Sequence, residues 1–262
     1  MPNFFRHSSS CAFLVTASAW LVSIPRAVNA APLRDLSTDR PDTTESPQTV
    51  DKGHFQFELE IANYERAGAE RTLNLGELNA KIGLTNSTDL QLVLPLYSHI
   101  QGGAEGFGDM EIRLKRNLWG NDSGSTAFGV MPFIKLPTAG DGLGNGAVEG
   151  GLITALGYGL PAGWSGGVMA EFDVAADNSG DGFHAVFVNS LTTGRSLTEN
   201  TSFFLELVSV ASAESGADWE AYCNTGVMWV LSNQWQWDAG VRVGLTRAAA
   251  DFTPFLGLSV RL

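Results

Sequence analysis

Apolar and polar residues alternate with a period of two along most of the chain after residue 54. In the segment Trp235–Leu245, every odd position is apolar and every even position is polar or glycine. Consecutive side chains of a strand point to opposite faces, so this pattern predicts a strand with one apolar and one polar face. The pattern recurs in about twelve segments, and helix-period stretches are absent from them. The sequence therefore predicts an all-β protein of about twelve antiparallel strands.

Two of these segments are less regular than the others. Val148–Tyr158 is rich in glycine, and Glu149 marks its polar face. Phe183–Leu191 has apolar residues at both odd and even positions. Tight turns are predicted at Thr85–Thr88, Pro161–Gly163 and Ser232–Gln234, and longer loops at Ser98–Phe107, Thr138–Gly146 and Ala176–Gly182. Short turns on one side and longer loops on the other are typical of outer-membrane barrels, in which the short turns face the periplasm.

A soluble β-sandwich would also alternate, with its apolar face turned inward. Three features favour a membrane barrel. Strands such as Trp235–Leu245 are long enough to cross a bilayer at a tilt, charges cluster on the polar faces, and six tryptophans lie near strand ends, where aromatic girdles meet lipid headgroups. We expect a transmembrane antiparallel up-and-down β-barrel in the bacterial outer membrane. Its first and last strands must pair, because an unpaired edge in hydrocarbon costs several kcal/mol per polar group.

The first thirty residues differ from the rest of the chain. A weakly basic start at Arg6 precedes the apolar run Cys11–Ile24, and Val28 and Ala30 supply small residues at a cleavage site. This run is shorter than the roughly 20 residues of a transmembrane helix, so it predicts a cleaved signal peptide. The predicted organisation is a signal peptide over 1–30, an N-terminal periplasmic or plug segment over 31–53, and the barrel over 54–262. After cleavage Cys223 is the single cysteine, which excludes an intrachain disulfide.

Charged residues on the polar faces are expected to line the lumen. They are Glu58, Glu60, Glu77, Lys81, Glu111, Arg113, Lys115, Lys135, Glu149, Glu171, Asp173, Glu206, Glu220, Asp238, Arg242 and Arg261. These side chains could pair with one another and fill the barrel, or they could line a pore. Barrels of eight strands are filled and barrels of sixteen hold a channel, so twelve strands leave both interpretations open.

Residues 31–53 have no strand period and contain three prolines, which makes a continuous helix unfavourable. The segment carries Asp39, Arg40, Asp42 and Glu45. One interpretation is a disordered periplasmic tail. The other is a plug that folds back into the periplasmic mouth. The lumen partners predicted for the acids are Lys81, Arg113, Lys115 and Arg242, and those predicted for Arg40 are Glu58, Glu111 and Glu206.

Three stretches resemble one known family. They are Leu36–Glu58, Gly106–Met110 and Lys135–Gly140, and the resemblance extends from about Leu36 to the C-terminus. The chain is similar to the meta-pathway of phenol degradation family of outer-membrane transporters. This resemblance implies a transport role and the passage of aromatic compounds, although most substrates in the family are unassigned. It transfers no binding residues to this chain.

The main functional hypothesis is a passive outer-membrane channel or transporter for small solutes, aromatic or other hydrophobic compounds among them. A lipid-acting barrel enzyme, with Ser98 and His99 at a rim, is one alternative. A structural or sensing barrel with a filled lumen is another. We expect no enzymatic activity.

The segment Gly140–Gly146 lacks the ligands of an EF-hand and the lysine of a P-loop, so it predicts a loop, and we expect no cofactor and no metal. The formal net charge of −12 argues against nucleic acid as a partner. The expected partners are outer-membrane lipid, a small-molecule solute and, during biogenesis, the barrel-assembly machinery.

Overall fold

The computed structural model of the protein describes residues 33–180 and 182–262. The signal peptide predicted over residues 1–30 lies outside this part of the chain and stays a prediction. Twelve long strands are described: β1 Phe55–Ala67, β2 Glu70–Thr85, β3 Thr88–Ile100, β4 Met110–Trp119, β5 Thr126–Leu136, β6 Glu149–Gly159, β7 Trp164–Ala176, β8 Phe183–Ser196, β9 Thr201–Ser212, β10 Glu220–Ser232, β11 Trp235–Gly244 and β12 Phe252–Arg261. A two-residue strand, Glu105–Gly106, pairs with the end of β3, and a single 3-10 turn covers Pro161–Gly163.

Each long strand pairs antiparallel with its neighbours in sequence, and β1 pairs with β12 in the register Gln56 opposite Arg261. The sheet therefore closes into a barrel without a free edge, as the requirement for backbone pairing in lipid demands. The predicted twelve-stranded antiparallel up-and-down β-barrel is confirmed. Within the described residues, no helix is both long enough and apolar enough to cross a membrane.

The two faces of each strand differ as the alternation predicts. Large apolar side chains are exposed on the outside, including Leu75, Leu90, Leu114, Ile134, Leu152, Phe172, Leu191, Leu205, Leu207, Val243 and Leu256. Buried side chains on the inside are mostly polar or charged, including Gln56, Glu58, Lys81, Gln91, Glu206, Asn224 and Asp238. This arrangement, with apolar side chains outside and polar side chains inside, is the reverse of that in a soluble protein. It suits a barrel surrounded by lipid.

The two rims of the barrel differ in loop length and in aromatic content. One rim, here the short-turn rim, carries the connections 86–87, 120–125, 160–163, 197–200 and 233–234 together with the C-terminus. The other, here the long-loop rim, carries 101–109, 137–148, 177–182, 213–219 and 245–251, and only one tight turn, at 68–69. Trp119, Trp164, Trp229, Trp235 and Trp237 lie near the short-turn rim, whereas Trp219 is at the other rim. The tryptophan girdle is therefore concentrated at the rim expected to face the periplasm.

Val241 and Arg242 test the assignment of faces, because they are neighbours on β11 and point to opposite sides. Val241→Arg should lower the free energy of unfolding from lipid vesicles by roughly 2–4 kcal/mol, the range for arginine near the bilayer midplane. Arg242→Val should cost less, since Glu60 keeps Arg40 as a second ion-pair partner. Denaturant titration of the two variants in vesicles measures the difference. Equal tolerance of both substitutions would contradict the assigned faces.

Candidate functional site

Residues 33–53, here the inserted segment, lie inside the barrel and contain no helix or strand. Just before β1 begins, a parallel bridge between Lys52 and Gly83 of β2 joins the segment to the barrel wall, by which we mean the ring of twelve strands. From the short-turn rim the chain rises along β11, β12 and β1, crosses the lumen past β9, β8 and β7, and descends along β5 and β4. The contacts that define this path are described below.

The segment is clamped where it enters the lumen. Asp51 accepts hydrogen bonds from Arg34 Nε at 2.9 Å and from Arg261 Nη1 at 3.0 Å, so one carboxylate joins the start of the segment, its end and the last strand. The Asn233 side chain binds the segment's backbone twice, accepting from Leu36 N at 2.9 Å and donating to the Arg34 carbonyl at 3.1 Å. Both ends of the segment are therefore fixed to the short-turn rim.

Asp39 occupies a buried cluster of opposite charges. Its carboxylate forms ion pairs with Lys81 of β2 and Lys115 of β4, and Lys81 also pairs with Glu58 of β1. Glu58 Oε2 in turn accepts hydrogen bonds from the backbone N–H groups of Asp39 and Arg40, at 2.9 and 3.1 Å. Burial opposes ionisation of Asp39, but the ammonium groups of Lys115 and Lys81 outweigh it and hold the pKa of this carboxyl well below its usual range.

Arg40 lies between two carboxylates that belong to different strands. Glu60 of β1, Gly257 of β12 and Asp238 of β11 stand side by side in register on the inner face. The guanidinium donates to Glu60 Oε2 at 3.0 Å and to Asp238 Oδ1 at 2.8 Å. A Cβ at position 257 would lie only 2.3 Å from Arg40 Nη2, so the glycine leaves the space that the guanidinium fills. The ring of Phe255 lies 5.9 Å from the Arg40 guanidinium carbon, within cation–π distance.

The turn Pro41–Ser46 crosses the lumen and is held mainly by Glu206. Its carboxylate accepts hydrogen bonds from the backbone N–H groups of Thr43 and Thr44, at 2.9 and 2.7 Å, and from the Thr44 hydroxyl at 2.6 Å. Glu45 forms an ion pair with Arg113 at 2.7 Å. Burial raises the pKa of Asp42 to about 8, and the negative charge of Glu206 adds to the rise. This turn therefore places the Asp42 carboxyl, whose neutral form burial favours, and the Glu45 carboxyl, which lies beside Arg113, in the middle of the lumen.

Small and apolar residues on the inner faces of β5–β8 make room for the segment. A Cβ at Gly129 or Gly157 would lie 3.0 or 3.2 Å from atoms of Pro47, and one at Gly167 would lie 3.1 Å from Thr44 Cγ2. Met131, Ile153 and Met169 form a buried apolar cluster on the same wall. The weak alternation of the predicted strands Val148–Tyr158 and Phe183–Leu191 has this physical cause, since their inner faces contact a protein segment or this cluster instead of water.

Two cavities lie on opposite sides of the inserted segment. The first, of about 560 Å³, opens toward the long-loop rim and is lined by Glu65, Glu77, Tyr222 and residues of the loop 245–251. The second, of about 380 Å³, lies toward the short-turn rim between Gln48 and the backbone of β5–β8. Arg40, Asp42 and Glu45 line both cavities. The turn of the segment is therefore a partition about one chain thick.

The other charged residues singled out from the sequence also occupy inward positions of their strands. Glu111 pairs with Arg113, Lys135 pairs with Glu149, and Arg242 pairs with Glu60. Four others form no ion pair with a described side chain: Glu77, Glu171, Asp173 and Glu220.

The partners predicted for Arg40 are wrong. Glu58, Glu111 and Glu206 are already occupied by Lys81, Arg113 and backbone N–H groups, so the guanidinium pairs with Glu60 and Asp238. The role of Gly257 was missed, because only the register of three distant strands shows it.

The serine–histidine pair considered for an enzyme is not assembled. Ser98 and His99 are consecutive on β3, so their side chains point to opposite faces. His99 Nδ1 instead contacts Glu105 Oε2 at 3.0 Å, and Tyr97 donates its hydroxyl hydrogen to the same carboxylate. These three side chains form an exposed polar cluster at the long-loop rim.

Comparison with known proteins identifies both a family and a fold. A sequence model of the family described as "Putative MetA-pathway of phenol degradation" matches residues 38–262. A comparison with curated proteins gives no match. The NanC porin superposes with a TM-score of 0.59 at 9% sequence identity, covering 79% of this chain and 100% of that chain. The COG4313 outer membrane channel from Pseudomonas putida F1 gives a TM-score of 0.59 at 16% identity, covering 86% and 100%. At these identities the two likenesses establish a shared barrel fold.

Removing the Arg40 charge should release the turn of the inserted segment. Arg40→Met leaves Asp238 buried without its cation, and breaking a buried pair in this way costs about 3–5 kcal/mol. The reporter is a thiol introduced as Thr44→Cys in a Cys223→Ser background. With Arg40→Met it should react with a membrane-impermeant maleimide at least about tenfold faster than with Arg40 present, because the unpaired Asp238 destabilises the state in which the turn is in place.

The matched control for that experiment is Arg242→Met. This variant also removes a guanidinium from Glu60, but from the wall and not from the segment. The labelling rate of the reporter should change little. The same rate increase in both variants would show that lumen charge alone, and not the anchor at Arg40, determines access to the turn.

Proposed function

We propose that this chain, which belongs to the family described as "Putative MetA-pathway of phenol degradation", is a passive outer-membrane channel whose lumen is restricted by its own N-terminal segment. The observation that carries the proposal is the pair of cavities on either side of the turn Pro41–Ser46, with the same three side chains lining both. A barrel filled for stability alone has no need of a cavity of about 560 Å³ on one side of a thin partition and one of about 380 Å³ on the other. Solutes would enter at either rim and pass the partition when the turn moves.

The charge of the cavity near the long-loop rim favours cations over anions. Eight carboxyl groups besides Asp42, whose neutral form burial favours, and three guanidinium groups line it. Each of the three arginines, Arg40, Arg113 and Arg242, already forms an ion pair with a carboxylate. Glu65, Glu77 and Glu220 form no ion pair with a described side chain. A cleft lined by one sign of charge concentrates the opposite sign, and rings of Asp and Glu select cations in known channels.

The solutes that fit this lining are small and polar, with cations favoured. The passage of aromatic compounds, which the family description suggests, remains a prediction. Liposome swelling with phenol, sugars and amino acids as test solutes distinguishes these classes directly. The absence of both conductance and solute flux would contradict the channel and favour the filled barrel.

Deletion of residues 31–50, with the signal peptide retained, tests the restriction. The barrel should still fold, as shown by heat-modifiable migration in a gel, and its single-channel conductance in planar bilayers should rise because the partition is gone. Antibiotic uptake by cells should increase as well. Unchanged conductance of a folded barrel would show that the segment does not limit passage.

A reversible disulfide between the turn and the barrel wall also tests whether the segment restricts passage, and it leaves the buried charged residues of the segment in place. The hydroxyl oxygens of Thr44 and Ser190 lie 2.7 Å apart, so cysteines at both positions, with Cys223→Ser, should form a disulfide between turn and wall. Conductance should then rise on reduction. The matched control joins Ser37 and Ser46, whose hydroxyls are also 2.7 Å apart, because this bond lies within the segment and does not attach it to the wall. Its conductance should respond less to reductant.

Charge selectivity can be measured from the reversal potential in a potassium chloride gradient. The wild-type protein should prefer potassium to chloride. The double variant Glu65→Gln/Glu77→Gln should lower the permeability ratio by at least about twofold, because two unpaired charges leave the cavity wall. Glu199→Gln, which removes one negative charge from the turn 197–200 outside this cavity, should leave the ratio unchanged. An anion-selective wild type would contradict the proposed selectivity while leaving the channel itself established.

A further inference from the structure

Two loops of the long-loop rim bring together three side chains that the transport proposal does not use. Asp177 begins the loop after β7, His184 is the second residue of β8, and Glu214 lies in the loop between β9 and β10. One potential ligand atom from each residue lies within 4.8 Å of the other two. The His184 side chain is 12% exposed and that of Asp177 is 30% exposed, so the group is partly shielded from solvent.

Neighbouring contacts hold these three side chains in place. His184 Nδ1 and Asp177 Oδ1 are 2.9 Å apart. The Glu214 carboxylate accepts from the backbone N–H and the side-chain amide of Asn178, both at 2.7 Å. The loop 177–182 closes on itself through the hydrogen bond from Asp177 N to the Gly182 carbonyl. The Glu214 oxygens keep lone pairs that are directed toward neither donor, so the group is oriented and still able to bind.

One imidazole and two carboxylates form a ligand set for a divalent transition metal. Calcium and magnesium prefer oxygen ligands alone, whereas zinc and its neighbours accept a mixed nitrogen and oxygen set. Ligand atoms at about 2.0–2.2 Å from one zinc ion are roughly 3–3.5 Å from each other. The hydrogen-bonded Asp177–His184 pair, 2.9 Å apart, needs to open only slightly as His184 Nδ1 exchanges its hydrogen bond for the metal. A shift of the Glu214 carboxylate by about 1 Å, from within 4.8 Å of both, would complete the set. Three protein ligands leave one position for water.

We propose that Asp177, His184 and Glu214 form a binding site for a divalent transition metal ion such as Zn²⁺, which joins two loops at the long-loop rim. The site borders a cavity of about 460 Å³ lined by Asn178, Glu214 and Glu220. Glu220 also lines the larger cavity of the lumen. The metal therefore fixes the loops beside the entrance to the lumen. Neither the site nor its test depends on conduction through the barrel.

The test uses tag-free full-length barrel, purified in detergent, with Zn²⁺ titrated against a chromophoric chelator. The wild-type protein should bind one equivalent. His184→Gln and Glu214→Gln should each weaken binding by at least about tenfold, since each removes one of three ligands. His99→Gln is the matched control, because His99 also contacts a glutamate at the same rim but has no third ligand group. Its affinity should equal that of the wild type.

A second readout separates a specific site from weak surface binding. A metal that binds only the folded state raises its stability by mass action. Saturating Zn²⁺ should raise the temperature at which the wild-type barrel loses heat-modifiable migration, and this shift should vanish in His184→Gln. If His184→Gln does not migrate as a folded barrel without metal, Glu214→Gln takes its place, and the shift should vanish in that variant. No stoichiometric binding by the wild type, or an unchanged affinity in His184→Gln, would overturn the proposal.

Discussion

Buried charge in the lumen is the constraint on which the rest of the structure depends. Glu58, Glu206 and Asp238 are almost completely inaccessible to solvent, and an ionised carboxylate away from water is stable only when it is paired or hydrogen-bonded. The wall alone does not meet this requirement. Asp238 receives its cation from Arg40, and Glu206 receives backbone N–H groups from Thr43 and Thr44. Wall and inserted segment therefore satisfy each other's charges, and neither is complete without the other.

This mutual dependence explains features of the strands that lipid does not require. The outer face needs only apolar side chains, and almost any apolar residue serves there. The inner face has specific requirements at each register position. Gly257 leaves space for a guanidinium between two carboxylates, and Gly129, Gly157 and Gly167 give Pro47 and Thr44 room to approach the wall. Some of the many glycines therefore serve to leave room for the segment inside the barrel, whereas others serve in turns.

The sequence was sufficient for the strands, their number and their faces, because a two-residue period is a local property. It identified Asp39, Arg40, Asp42 and Glu45 from charge density. The cations it named for the acids include Lys81 and Lys115, which pair with Asp39, and Arg113, which pairs with Glu45, whereas the acids it named for Arg40 were wrong. Partners depend on register across strands far apart in sequence, as Glu60, Gly257 and Asp238 show, and several lumen carboxylates compete for one cation. The neighbouring positions of Asp177, His184 and Glu214 were hidden for the same reason, since two separate loops and the start of β8 contribute them. Local patterns predict elements, whereas long-range register determines which charges meet.

The anchoring of the inserted segment is uneven along its length, and this bears on how a solute could pass. At its ends, Asp51 joins Arg34 to Arg261, and Asn233 binds the backbone twice. At Asp39 and Arg40, ion pairs reach four different strands. The turn Pro41–Ser46 depends on hydrogen bonds to Glu206 and Ser190 and on the ion pairs of Glu45 with Arg113 and Lys115. Opening the lumen by withdrawing the whole segment would expose every one of these buried charges. Moving the turn alone exposes fewer and removes the partition between the two cavities. The proposed channel should therefore open more readily by displacement of the turn on fixed anchors than by withdrawal of the whole segment.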